Sequence, residues 1–147
     1  MSELNGVFLL RSPADLLAKL EADHARLVSA EPCSMEAQYA AFDFFVTAEH
    51  LADWMQRARG GTLAAHKRYA DGAVVSHLAN GAKHFRVDRH EAVRDTRILP
   101  GTKYGGAKYG ASKYGASALV IDLENGTVLP VLILAQRVLD HWRATVV

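Results

Sequence analysis

The sequence predicts a mainly α, α+β single domain: a bundle of about five helices with a small antiparallel β-hairpin before the C-terminal helix. Three observations predict it. Apolar residues recur at steps of three and four from Leu16 to Phe85. Asn125-Gly126 lies between two apolar runs, the strongest short-range hairpin signal. Beyond it, Pro130 opens a last amphipathic stretch. The chain has 147 residues, which suits one domain spanning 1–147 with its own core.

The first helix starts with Ser12 as N-cap, Pro13 at the first helical position and Asp15 in the first turn, where the dipole favours a carboxylate. Leu16, Leu17, Leu20, Leu27 and Val28 follow at helical spacing until Glu31-Pro32 breaks the pattern. Ser34 opens the second helix, which Gly60-Gly61 ends after Arg59. Its residues form two stripes. Tyr39, Phe42, Val46, His50, Asp53 and Trp54 make one, and Phe44, Ala48, Leu51 and Met55 the other. A helix apolar on two faces is expected at the centre of its bundle.

Thr62 to Tyr69 reads as a short helix and Asp71-Gly72 as a turn. A fourth helix from Ala73 carries Val74, Leu78, Ala82 and Phe85 on its apolar side, with His77, Asn80 and His84 on another. Gly81 within it implies close backbone contact with a neighbour. Strands are expected at Val93–Leu99, Ala118–Leu123 and Thr127–Leu129. In the last helix Val131, Leu132, Ala135, Val138, Leu139 and Trp142 should face inward.

Composition excludes several classes. With 50% hydrophobic and 22% charged residues the chain is not disordered throughout. The single cysteine, Cys33, makes no internal disulfide, and no spacing such as His-Glu-x-x-His suggests a metal site. No P-loop or nucleophile-elbow motif is present, so no cofactor is legible. The N-terminus lacks the features of a signal peptide and the longest apolar run is too short to span a bilayer. A cytoplasmic protein without membrane attachment is the expectation, and an oligomer stays open.

The net charge of +1 conceals segregation: residues 57–113 hold twelve Lys or Arg against four acids. Such a segment can be a basic face for RNA or another polyanion, or can be paired locally by acidic flanking helices. Within it, residues 101–117 are expected to form a flexible loop between strands, with a Lys-Tyr-Gly repeat that places Tyr104, Tyr109 and Tyr114 at intervals of five. Bases can stack on such tyrosines, although a loop lengthened by duplication has the same composition.

His50 and Asp53 are i, i+3 neighbours on an apolar stripe. A buried carboxylate needs partners, and His77, Asn80, Lys83 and His84 are of the right type. Two readings follow. In one, the helices 41–54 and 74–85 face each other and His50, Asp53, Asn80 and His84 form a structural junction in a non-enzymatic binding protein. In the other, His50, Asp53, His84 and Lys83 do acid–base chemistry in an RNA- or phosphodiester-directed hydrolase, with Trp54, His77 and Asn80 lining the site. Whether the chain is an enzyme is left open.

Arg59 and His66 fit an Arg-x(4–6)-His pattern that resembles the HEPN class of helical proteins, many of them ribonucleases. That resemblance implies an Arg and a His on one helix acting on RNA phosphate, whereas here Gly60-Gly61 intervenes. The Phe44-Phe45-Val46-Thr47-Ala48 run with His50, Asp53 and Trp54, and the Ala79-Asn80-Gly81 run with Lys83 and His84, resemble two blocks of a group of small bacterial and phage-associated proteins. This resemblance implies that His50, Asp53, Trp54, Asn80, Lys83 and His84 belong together, and it brings no activity with it.

Overall fold

The computed structural model describes residues 5–99 and 117–147. The chain order is α1 (Pro13–Ser29), α2 (Met35–Arg59), α3 (Leu63–Lys67), α4 (Gly72–His84), β1 (Val93–Leu99), β2 (Ala118–Leu123), β3 (Val128–Pro130) and α5 (Val131–Val146). The fold is therefore mainly α with a small antiparallel sheet before the last helix. The Lys-Tyr-Gly segment, with Tyr104, Tyr109 and Tyr114, lies outside the described residues apart from Ser117.

The helix starts follow the cap chemistry. The Ser12 hydroxyl accepts from Asp15 N–H, Ser34 from Ala37 N–H, and Thr62 from Ala65 N–H, each at 3.1 Å. These side chains satisfy donors that the first helical turn leaves unpaired. Helix α4 departs from this. Its N-cap Asp71 makes no capping bond, because its carboxylate accepts from Arg137 on α5 instead. Gly72 follows because a Cβ there would sit 2.0 Å from Lys67 O. Close approach is thus required at Gly72, whereas at Gly81 a Cβ would meet only Val87 Cγ2 at 3.8 Å.

Helix α2 is the hub and packs against α1, α4 and α5. Phe44, Ala48, Leu51 and Met55 are fully or almost fully buried, as their spacing predicts. The other stripe is not. Tyr39 is 58% and Phe42 54% exposed, and His50 also faces solvent. Alanines take the expected place of the aromatic residues: Ala37, Ala40, Ala41 and Ala52 are buried with Phe45. Small residues let α1 and α4 approach α2 closely, so those faces became the core. In α4, likewise, Val75, Ser76 and Ala79 are buried, while Val74 and Leu78 are half-buried and Phe85 is fully exposed. In α5, Leu132 is exposed, and Leu134 joins the other inward residues around Trp142.

The sheet order is β1-β2-β3, with both pairs antiparallel. Register places Thr96 opposite Ile121 and Ile98 opposite Leu119. A bulge between Val93 and Asp95 leaves Arg94 without an opposing residue. Ile121 and Leu129 join the main core, which sets one face of the sheet against the helices.

Asp23 on α1 is 3% exposed and accepts from Lys19 Nζ and Thr47 Oγ1, both at 2.8 Å. Lys19 also reaches Thr47 Oγ1 at 2.9 Å. Thr47→Val removes a hydrogen-bond partner of a buried carboxylate at nearly constant volume and should cost about 1–3 kcal/mol. Phe44→Ala should cost about 3–5 kcal/mol through the lost burial and the cavity left behind. Urea titration of both variants checks the order: Phe44→Ala is expected to be the less stable.

Candidate ligand-binding cleft

The polar contact between α2 and α4 is not made by the residues singled out above. Glu49, 9% exposed, accepts from Ser76 Oγ at 3.0 Å and pairs with Lys67 Nζ at 3.0 Å. His50 is one residue further round α2 and reaches solvent, as do Lys83 and His84 at the C-terminal end of α4. Asn80 donates to Ser76 O in its own helix at 2.8 Å. Asp53 is half-buried, and Trp54 packs against the core. Among the described residues no hydrogen bond or ion pair joins His50 or Asp53 to Asn80, Lys83 or His84. The junction expected from them is carried by Glu49, Ser76 and Lys67. No local signal marks Glu49, because its burial, and with it the need for partners, arises only when α4 lies across α2.

Arg59 and His66 are engaged separately. Arg59 donates to Thr145 O at 3.0 Å and Val146 O at 2.7 Å, closing the last turn of α5. His66 Nε2 lies 2.8 Å from Gly60 O. The two residues sit on different helices, α2 and α3, on either side of Gly60-Gly61. Four basic residues of the 57–113 segment have acidic neighbours: Lys67 pairs with Glu49, Arg86 with Asp88 and Arg97 with Asp122, while Arg94 stands 4.0 Å from the Glu124 carboxylate.

The structure instead opens a cleft of about 500 Å³ between α2, α4 and the sheet. Ala41, Phe42 and Phe45 of α2 form one wall. Leu78, Gly81, Ala82 and Phe85 on α4, with Val87 beyond it, form the second, and Leu119, Ile121 and Val131 lie between them. Among the described residues its polar lining is Gln38, His77 and the β1 residues Arg94, Asp95 and Thr96. Among the described residues, His77 is the one sequence candidate that lines it.

Local geometry sets what these polar groups offer. His77 Nδ1 accepts from Val93 N–H at 3.0 Å, tying α4 to the start of β1. With Nδ1 an acceptor, the neutral ring carries its proton on Nε2 and is a donor there. Burial lowers the His77 pKa, and the neighbouring His90, whose ring centroid is 5.6 Å away, lowers it further. Asp95 Oδ1 accepts from Thr96 N–H at 2.8 Å. Arg94 donates to Glu124 O at 3.1 Å, and its distance to the Glu124 carboxylate is 4.0 Å. Phe85 closes α4 with φ +62°, a left-handed conformation uncommon for a large residue, and stands 99% exposed at the lip.

A second polar cluster lies between α5 and the α3–α4 connection. The Tyr69 and His141 rings stack at 4.0 Å, and Trp142 meets Tyr69 edge-on. Burial pushes the Tyr69 phenol above its usual range and lowers the His141 pKa. With Asp71 and Arg137 this cluster fastens α4 to α5. Among the described residues no group of three His, Cys, Asp or Glu side chains could hold a metal ion, and no helix is long and apolar enough to cross a membrane. Comparison with protein-family models, with curated proteins and with solved structures returns no match.

Glu49→Ala should lower stability by about 1–3 kcal/mol by stranding Ser76 and Lys67, whereas His50→Ala and His84→Ala should stay within about 0.5 kcal/mol of the parent. Thermal melts of the three variants decide between the two junctions. Acid should also destabilise the fold through His24, His77 and His141, each lowered from the ordinary 6.5 chiefly by burial. The unfolded chain then binds protons first, so stability is complete above pH 6.5 and is lost as pH falls below it. A melting temperature flat from pH 7 to 8 and declining towards pH 5 is the expected profile.

Proposed function

We propose that this protein is a binding protein whose cleft between α2, α4 and the sheet receives one apolar, aromatic-sized group. The observation that carries this reading is the lining. Three phenylalanines, Phe42, Phe45 and Phe85, surround a space of about 500 Å³ floored by Leu119 and Ile121. That size falls in the range of about 300–1,000 Å³ usual for small-molecule sites, which combine apolar walls with a few placed polar groups. The exposure of Phe42 and Phe85 adds to this, because an apolar group that enters the cleft covers part of that apolar surface. Phe85 also holds a strained backbone conformation, the kind of outlier that gathers at ligand sites.

The polar residues first considered for phosphodiester chemistry support this reading less directly. His50, Lys83 and His84 are exposed, and among the described residues no hydrogen bond or ion pair orients them for proton transfer.

Nile red, a neutral dye that fluoresces in apolar surroundings, tests the proposal. Saturable binding at one site per chain is expected, with loss of at least about tenfold in affinity for Ala82→Trp, whose indole fills the cleft. An unchanged dye isotherm in Ala82→Trp, with an unchanged melting temperature, sinks the idea.

A further inference from the structure

The cleft has a chemically distinct end. Resting on the binding reading above, we infer that its ligand is a small apolar carboxylate, with the carboxylate held by Arg94 beside His77. Four features carry this. The β1 bulge removes Arg94 from the ladder, and such bulges re-aim side chains next to binding sites. Arg94 lines the cleft rather than turning wholly to solvent. Its contact with the Glu124 carboxylate is loose at 4.0 Å, so the guanidinium keeps donors for a second anion. His77, fixed by Val93 N–H on Nδ1, has its remaining donor on Nε2, with no partner for that atom among the described residues.

Arg94 and the His77 Nε2–H thus offer donors at this end, and among the described residues Asp95 is the carboxylate that lines it, one of its oxygens accepting from Thr96 N–H. A ligand headgroup with acceptors alone matches Arg94 and His77, and a carboxylate matches the planar fork of Arg94 with two parallel bonds. The apolar remainder of the ligand extends towards Phe42, Phe45 and Phe85, away from β1. Cleft volume and charge thus select a compact amphiphile such as an aromatic or medium-chain acid.

Competition against bound Nile red by 2-naphthoate and by its uncharged counterpart 2-naphthamide provides the test. The acid should displace the dye at least about tenfold more strongly, as expected for a charge-assisted bidentate contact. Arg94→Gln, in protein that still melts cooperatively, should remove that preference, and Arg94→Lys should keep part of it. Equal competition by acid and amide, failure of both to compete, or a preference that survives Arg94→Gln each overturns the carboxylate assignment while leaving the apolar cleft standing. Absence of dye binding to the parent protein removes both readings together.

Discussion

Two buried carboxylates govern how the helices can sit on α2. Asp23 and Glu49 are nearly inaccessible, and an ionised group in that position is tolerated only where donors meet it. Asp23 is answered by Lys19 and Thr47, which sets the register of α1 on α2. Glu49 is answered by Ser76 and Lys67, which sets α4 and places the short α3 beside it. Apolar packing alone would let these helices slide or rotate at small cost. The two carboxylates leave each neighbour one arrangement.

The cleft follows from that arrangement. With Val75, Ser76 and Ala79 turned onto α2, the next face of α4, Leu78 and Ala82, is left looking at the sheet. His77 then reaches the start of β1, and its bond to Val93 N–H holds the sheet away from α2 along that side. The space between is lined by whatever α2 presents there, namely Phe42 and Phe45. The Asp71–Arg137 pair and the Tyr69–His141 stack hold the start of α4 on α5, so the wall is anchored at both ends. The cleft therefore has one wall that is held in place on both sides.

Much of the fold was legible because it rests on local chemistry. Ser12, Ser34 and Thr62 cap helices by bonds within three residues, Gly60-Gly61 ends α2, and Asn125-Gly126 turns β2 into β3. Periodicity also located Phe44, Ala48, Leu51 and Met55 in the core. It misplaced Tyr39, Phe42 and Phe85, because large apolar residues carry the visible pattern, whereas alanines decided which faces of α2 could be approached. The same bias drew attention to His50, Asp53 and His84 and away from Glu49, whose burial depends on α4 lying across it.

The sequence by itself determined the helices, the strands, the hairpin and their order, since each depends on residues within a few positions of one another. It raised the expectation of a polar junction between α2 and α4, but on His50 and Asp53, which water reaches instead. Only the tertiary structure decided which residues make that contact, that Arg59 closes α5 rather than pairing with His66, and that a cleft remains beside Phe42 and Phe85. Those outcomes turn on the rotation of each helix about its axis. That rotation is set by contacts between residues far apart in the chain, which no local pattern encodes.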